Sequence, residues 1–326
     1  MKLQMLLKNK TNRHRGLRIE TSKIINIEVK KMIDLHAHTR ESDGEMTPEQ
    51  LIDFAIERGI TALAITDHDT AEGLEMASEY ARDKKIMFIP GIELDAKVEK
   101  GQMHILGLCV NYKDEQFNRR LLDIKKEREE RNNRFIETFN QMGLKVTLEE
   151  LQEVSSGNII GKPHFAKVFL KKGYIKTKSE MFDKYFNQPP LCGIKKSTLS
   201  PEEIIKLIKR ANGIAVLAHP QSLKLSDAEL MKKIAELKSY GLDGLECWHS
   251  NQTPEQMQRF KEMAIQMNLI MTKGSDYHGP ITKPEIELGS GMNNNIVSQG
   301  DEILLKSLLE YYTSQNRITS CVNIER

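Results

Sequence analysis

The 326-residue sequence predicts an α/β fold in which helices wrap a parallel, barrel-like sheet, and three observations carry that expectation. Strand and helix patterns alternate along most of the chain. The strand runs are continuously apolar, as expected for strands covered on both faces. The residues able to do chemistry (His36/His38, Asp67/His68/Asp69, Glu93, His219 and Asp276/His278) stand at the C-terminal ends of the expected strands. In barrel-like α/β folds that end carries the site-building loops.

The first strand is "MIDLHAH", residues 32–38. Side chains alternate with period two, so His36 and His38 share a face, and the following "TRESDG" can bring Asp43 back to the same rim. "TPEQLIDFAIERG" then reads as a helix, with Thr47 as N-cap, Pro48 in the first turn and Gly59 as the stop. "ITALAITDHDT" is a buried strand ending in a polar cluster, "AEGLEMASEYARDK" a helix, "IMFIPGIELDA" an apolar strand ending in acids, and "HILGLCV" a short strand. Helices are expected at 201–211, 226–239, 254–268 and 301–314, interleaved with the strands "IAVLAHP", "DGLECW" and "LIMTKGSDYHG". Residues 114–198 break the alternation with a long helix from Asp114 to Met142 and a shorter one in "GKPHFAKVFLKKG". The barrel is therefore expected from 32–113 and 199–326, with 114–198 as a helical insertion covering the active site.

Bulk composition excludes several classes. Net charge is only +2, so no global basic signature marks a nucleic-acid binder. The four cysteines, Cys109, Cys192, Cys247 and Cys321, have no CxxC spacing and read as reduced thiols of a cytoplasmic protein. No apolar run of about 18 residues is present, so no membrane span is expected. Residues 1–31 hold nine Lys/Arg against two Glu and are expected to form a basic, flexible extension. Nothing indicates an obligate protein partner.

His36, His38, Asp43, His68, Glu93, His104, His219, Asp276 and His278 together hold six of the nine histidines. Each short motif alone has a plain alternative as a turn, a helix cap or a satisfied core histidine. Their joint occurrence at strand ends does not. Nine donors exceed what one ion takes and suit two or three. Nitrogen and oxygen donors without thiolate favour Mn²⁺, with Zn²⁺ or Fe²⁺ as alternatives.

In order, "DLHAHTRESDG", "AITDHDT", "PGIELDA", "HILGL", "LAHP" and "GSDYHG" resemble the motifs of the PHP (polymerase and histidinol phosphatase) family over roughly residues 32–290. The "GKPHFAKVFLKKGYI" insertion resembles the stand-alone subgroup of nucleoside 3′,5′-bisphosphate phosphatases and 5′→3′ exoribonucleases of the RNase AM type. The resemblance implies a distorted seven-stranded TIM-like β/α barrel with a trinuclear site. It places His36, His38, Glu93 and Asp276 on the first ion, Glu93, His104 and His219 on the second, and Asp43, His68 and His278 on the third. It implies hydrolysis of phosphate esters of nucleotides, or of short RNA 5′ ends, by water activated between the ions. "PPLCGIKKS" departs from the subgroup, which often has an aromatic where Cys192 stands.

For substrate contacts, the run of ten polar residues Lys125–Arg134 is either a solvated face with i,i+4 pairs or a helix overhanging the ions. In the second case Arg131 or Arg134 reaches a substrate phosphate through its planar fork, and Arg134 is preferred. His164 of "KPHF" is the second candidate. Asp34, Asp67 and Asp69 are expected to orient ligand histidines, and Glu246 and Trp248 to line the barrel mouth, with His249 left outside the site. The competing functions are histidinol-phosphate hydrolysis with the same ions and a non-catalytic metal- or nucleic-acid-binding module resting on residues 1–31, Lys171/Lys172 and Lys195/Lys196.

Overall fold

The computed structural model describes residues 32–315 except 156, 158, 195–198 and 298–299. The basic extension 1–31, Lys195/Lys196 and Cys321 lie outside the described residues.

The barrel opens with β1 (Met32–Ala37), α1 (Pro48–Glu57), β2 (Ile60–Ile65), α2 (Leu74–Ala81), β3 (Met87–Ala96) and β4 (Met103–Leu108). Next come α3 (Glu115–Gln141), α4 (Leu148–Val154), α5 (Lys162–Lys171) and the single turn α6 (Lys178–Met181). The chain returns through α7 (Pro201–Arg210), β5 (Ile214–Leu217), α8 (Asp227–Tyr240), β6 (Gly244–His249), α9 (Pro254–Gln266) and β7 (Ile270–Gly274). A small ribbon of β8 (Ile286–Glu287) and β9 (Gly291–Met292) precedes α10 (Asp301–Ser314). The helix starts follow local chemistry: Thr47 caps α1, with Pro48 in its first turn, and Ser200 and Thr253 repeat the arrangement at α7 and α9.

Strands β1 to β7 lie side by side in sequence order. The sheet nearly closes on itself: Asp276 N donates to His36 O at 2.8 Å and His38 N to Tyr277 O at 2.9 Å. Asp34 fastens the seam by accepting from Ser275 N (2.9 Å) and Gly289 N (2.7 Å). Alternate residues face in and out. Leu63, Ile65, Ile92, Ile105 and Leu217 pack outward against the helices. Ile33, Leu35, Ala62, Ala64, Ile89, Leu106 and Val216 fill the interior with Leu304, Leu308 and Tyr312 of α10.

The sheet departs from the expected all-parallel arrangement at β4, which runs antiparallel to both β3 and β5. The link from Ala96 to Met103 is too short for a crossover, so the chain turns back as a hairpin. This reversal has a consequence for the site: the start of β4, where His104 stands, reaches the rim formed by the ends of the parallel strands.

Helix α3 bridges two apolar clusters. Phe117, Leu121 and Ile124 pack into the barrel's outer layer. Phe135 and Phe139 join Val146, Leu151, Phe165, Phe169, Met181 and Phe186 in a separate cluster within the helical segment. The polar run 125–134 is the stretch of α3 between those two cores.

Candidate metal centre

Glu93 is the hub of the rim. Its buried carboxylate points up the barrel axis from β3, and five imidazoles surround it. His36 Nε2, His38 Nε2 and His68 Nδ1 lie 3.3, 3.2 and 3.1 Å from Oε2. His104 Nδ1 and His219 Nε2 lie 2.8 and 2.9 Å from Oε1. Asp276 Oδ1 stands 3.2 Å from His38 Nε2 and 3.7 Å from His36 Nε2. His278 Nε2 is 3.2 Å from Asp43 Oδ1, and the His38 and His278 rings stack with centroids 4.1 Å apart. All nine residues singled out in the sequence meet around this rim.

The local backbone explains how residues from seven segments converge. A register shift between Asp34 and Ala37 breaks the alternation of β1, so His36 follows Leu35 to the inner side. Gly274 makes room for it, since a Cβ there would sit 2.1 Å from His36 Cβ. Asp69, His219 and Asp276 hold positive φ (54°, 26° and 57°), conformations that non-glycine residues adopt at a cost of order 1–3 kcal/mol. Three such residues at the strand ends mark a rim shaped for geometry at the expense of stability.

The donors are buried yet incompletely partnered. His36 Nε2, both nitrogens of His38, Glu93 Oε2, His219 Nδ1 and His249 Nε2 have no hydrogen-bond partner among the described residues. Each such group costs about 1–3 kcal/mol if nothing satisfies it, and their convergence at one rim fits divalent cations. Three four- or three-residue sets have ligand atoms within 4.8 Å of one another: His36/His38/Glu93/Asp276, His38/Asp43/His68/His278 and His68/Glu93/His104.

Electrostatically the donors divide: against burial, Glu93 and Glu246 hold His36 well above the usual imidazole range, and Asp276 and Glu93 raise His38 to about 9, so bound cations would displace those protons. Burial alone would raise Glu93, but the imidazoles of His68, His36 and His104 hold it well below the usual carboxylate range. Asp43 is likewise depressed against burial, by His278 and His68, and Asp276 by Lys283 and His278. Burial pushes His68 down to about 3 despite Glu93 and Asp43. His68 is thus an unprotonated imidazole beside ionised carboxylates, the form that ligates a metal.

The aspartates expected to orient the histidines act on backbone, turn and arginine partners, with Asp34 Oδ1 accepting from His36 N at 3.2 Å. Asp34 binds backbone amides at the seam. Asp67 accepts from Thr39 N (2.7 Å), Thr39 Oγ1 (2.6 Å) and Ser42 Oγ (2.5 Å), fixing the turn that carries Asp43. Asp69 pairs with Arg128 of α3. None of these contacts reaches an imidazole. That work falls to Glu246, which lies fully buried beneath the rim. Its Oε1 takes His36 Nδ1 at 2.9 Å and its Oε2 accepts from His219 N at 2.7 Å. The first contact fixes the His36 tautomer with Nε2 turned to Glu93. His278 is set similarly, with Nδ1 2.9 Å from Asp276 O. Trp248 does not line the mouth; it packs on the apolar core with Lys261 over its ring at 5.6 Å.

His249 belongs to the rim, contrary to the sequence reading. It is 1% exposed, Asn251 N donates to its Nδ1 at 3.0 Å, and its Nε2 lies 3.4 Å from Asp276 Oδ2. With His36 and Glu246 it forms a further set of close donors.

Helix α3 presents a different arginine from the one preferred. Arg134 is exposed, whereas Arg131 is 7% exposed and Arg128 pairs with Asp69 at the rim. At 100° per residue, the face that buries Phe135 and Phe139 also carries Arg128 and Arg131/Asn132, while Arg134 sits about a third of a turn from its centre. Arg131 stacks over Phe135 at 5.5 Å, and Lys162 stands 5.0 Å from the Phe186 ring. Among the described residues neither cation has a carboxylate partner within ion-pair distance. Burial and the neighbouring Arg128 bring Arg131 down to about 10, and burial with Arg131 lowers Lys162. His164 is buried, accepts from Gly161 N at 2.9 Å through Nδ1, and is pushed down to about 4 by burial.

The PHP domain family matches residues 34–238. The chain is 31% identical over 258 residues to the 5′-3′ exoribonuclease Rnm of Escherichia coli (strain K12), covering 78% of this chain and 87% of that protein. It is 28% identical over 249 residues to the 3′,5′-nucleoside bisphosphate phosphatase of Chromobacterium violaceum, covering 76% and 87%. Among solved structures, a protein from Bifidobacterium adolescentis described as a metal-dependent phosphoesterase superposes with a TM-score of 0.71 at 30% identity, over 86% of this chain and 96% of that one.

Proposed function

The chain belongs to the PHP domain family, and we propose that its rim hydrolyses phosphate esters of nucleotides: nucleoside 3′,5′-bisphosphates or the 5′ ends of short RNA. The observation that carries this reading is the convergence of five imidazoles on Glu93, with Asp43 and Asp276 beside them and cations above. Two or three divalent ions, Mn²⁺ by preference for a nitrogen–oxygen donor set, supply Lewis acidity toward phosphoryl oxygens and lower the pKa of water. His36, His38, Glu93 and Asp276 would hold the first; Glu93, His104 and His219 the second; Asp43, His68 and His278 the third.

The chain's own residues do the rest. Glu246 keeps the His36 Nε2 lone pair directed at the rim. Three carboxylates only half-neutralise three dications, so the rim favours a phosphate dianion. Arg131 is a buried cation and Lys162 a half-buried one, both without carboxylate partners among the described residues, a pairing that suits an anion supplied by the ligand. We assign them to a second phosphate of the substrate, with His164 nearby as a neutral hydrogen-bonding group. The segment 114–198 serves as a cover that carries these contacts over the barrel. Cys192 and Cys247, which form no disulfide among the described residues, support work in a reducing compartment, the cytoplasm.

A screen of the Mn²⁺-loaded chain for released phosphate and released mononucleotide tests the reading. Turnover of a nucleoside 3′,5′-bisphosphate or a short 5′-phosphorylated RNA should exceed that of histidinol phosphate. Preference for histidinol phosphate, or no turnover of any of them, contradicts it.

A further inference from the structure

A groove of about 480 Å³ runs between the first half of α3 and α7, away from the metal centre. Arg119 and Arg120 face it from α3, and Lys206 and Arg210 from α7, over an apolar floor of Leu199 and Leu207. The two acids at its edge are already engaged: Asp123 with Arg120 at 3.6 Å, and Glu203 as the cap of its own helix, 2.8 Å from Ser200 N. Lys206 pairs with Glu202 at 2.6 Å. Arg119 and Arg210 are exposed and have no ion-pair partner among the described residues. Two unneutralised guanidiniums beside an apolar strip match a single-stranded nucleic acid, whose phosphates seek planar cations and whose bases seek apolar surface.

The groove is also placed to receive such a strand. Helix α3 rises 1.5 Å per residue, so Arg120 lies about 12 Å along it from Arg128 at the rim. At the other wall, Lys97 N donates to Leu199 O at 2.8 Å, which joins the head of the groove to the end of β3, two residues past Asp95. We propose that this groove holds the phosphodiester backbone of an RNA a few nucleotides downstream of the 5′ end that sits at the metal centre. The inference rests on the nucleotide reading of that centre and extends it to an RNA with length.

The test uses the full chain and the double variant R119Q/R210Q, with K85Q/K232Q as a control of equal charge change at exposed lysines. Affinity for a labelled ten-nucleotide RNA is measured in chelator, which stops turnover, across a salt series. Turnover of a nucleoside 3′,5′-bisphosphate is measured with Mn²⁺. R119Q/R210Q should lose about five- to tenfold in RNA affinity and flatten the log–log salt slope by about one to two, with bisphosphate turnover unchanged. Unchanged affinity and slope overturn the proposal, as does an equal loss in the control pair or a parallel fall in bisphosphate turnover. Competition by polyglutamate as strong as that by RNA also overturns it, because the groove would then select acidic chains in general. If the wild-type chain neither binds RNA nor releases phosphate from any nucleotide, the reading of the centre itself falls; if it does both and only R119Q/R210Q is indifferent, the groove alone falls.

Discussion

Glu93 and His164 show how burial sets a residue's role. Glu93 stays ionised in a site where desolvation opposes charge, because imidazoles crowd it from five directions. His164 has no carboxylate that close, and burial keeps it neutral, titrating at about 4 in the fold against about 6.5 in the unfolded chain. Between those values the unfolded chain binds a proton that the native chain does not. The stability this represents is complete above about pH 6.5 and is lost as pH falls toward 4. Protonation would also cancel the Nδ1 acceptor for Gly161 N. His164→Asn keeps an acceptor near that position and cannot titrate. The variant is therefore expected to lose about 1–2 kcal/mol less than wild type between pH 7 and 5, by denaturant unfolding at saturating Mn²⁺. Equal pH dependence in the two proteins would show that His164 is not held neutral by burial. At this scale seven of the nine rim residues were legible because they end apolar runs, whereas His104 opens one and Asp43 lies in the turn after β1. His249 was not legible, since only the irregular end of β6, with its shift between Glu246 and Trp248, brings the ring to Asp276.

Among the elements, α3 and β4 decide what reaches the rim. The polar run on α3 reads equally as a solvated face or as an overhang, and the periodicity of Phe135 and Phe139 was the available guide to which residues turn inward. Extending that face backwards selects Arg131 and Arg128 instead of Arg134. Arg131→Ala should therefore raise KM for a nucleoside 3′,5′-bisphosphate about tenfold or more, the loss of a charge-assisted contact, while Arg134→Ala stays within about twofold. Steady-state kinetics on both variants check this, and the reverse order would return the role to Arg134. Strand β4 carries a parallel lesson. Its direction was readable from the six residues between Ala96 and Met103, too few for a crossover, but an apolar strand run has no arrow of its own. Asp34, Asp67 and Asp69 were visible as polar residues near histidines; which backbone amides or arginine they bind depends on the barrel seam and on α3, which sequence spacing does not encode.

The described residues from Met32 onward form a barrel whose interior is apolar below and ionic above, with α10 packed into one end and Arg128 of α3 reaching Asp69 at the other. Lys273, fully buried, meets Asp301 of α10 at 2.6 Å, so that helix is tied to the strand that leads into Asp276 and His278. That construction lets residues some 240 positions apart in sequence, His36 and Asp276, hold fixed separations through packing and hydrogen bonds. The central claim is that those separations exist to bind cations. Anomalous diffraction from crystals grown with Mn²⁺ tests it most directly. Two or three peaks are predicted at the rim, each about 2.0–2.3 Å from donor atoms among the nine side chains, with Glu93 shared between two of them. A rim without anomalous density at saturating Mn²⁺, or ions bound only elsewhere on the chain, would contradict it.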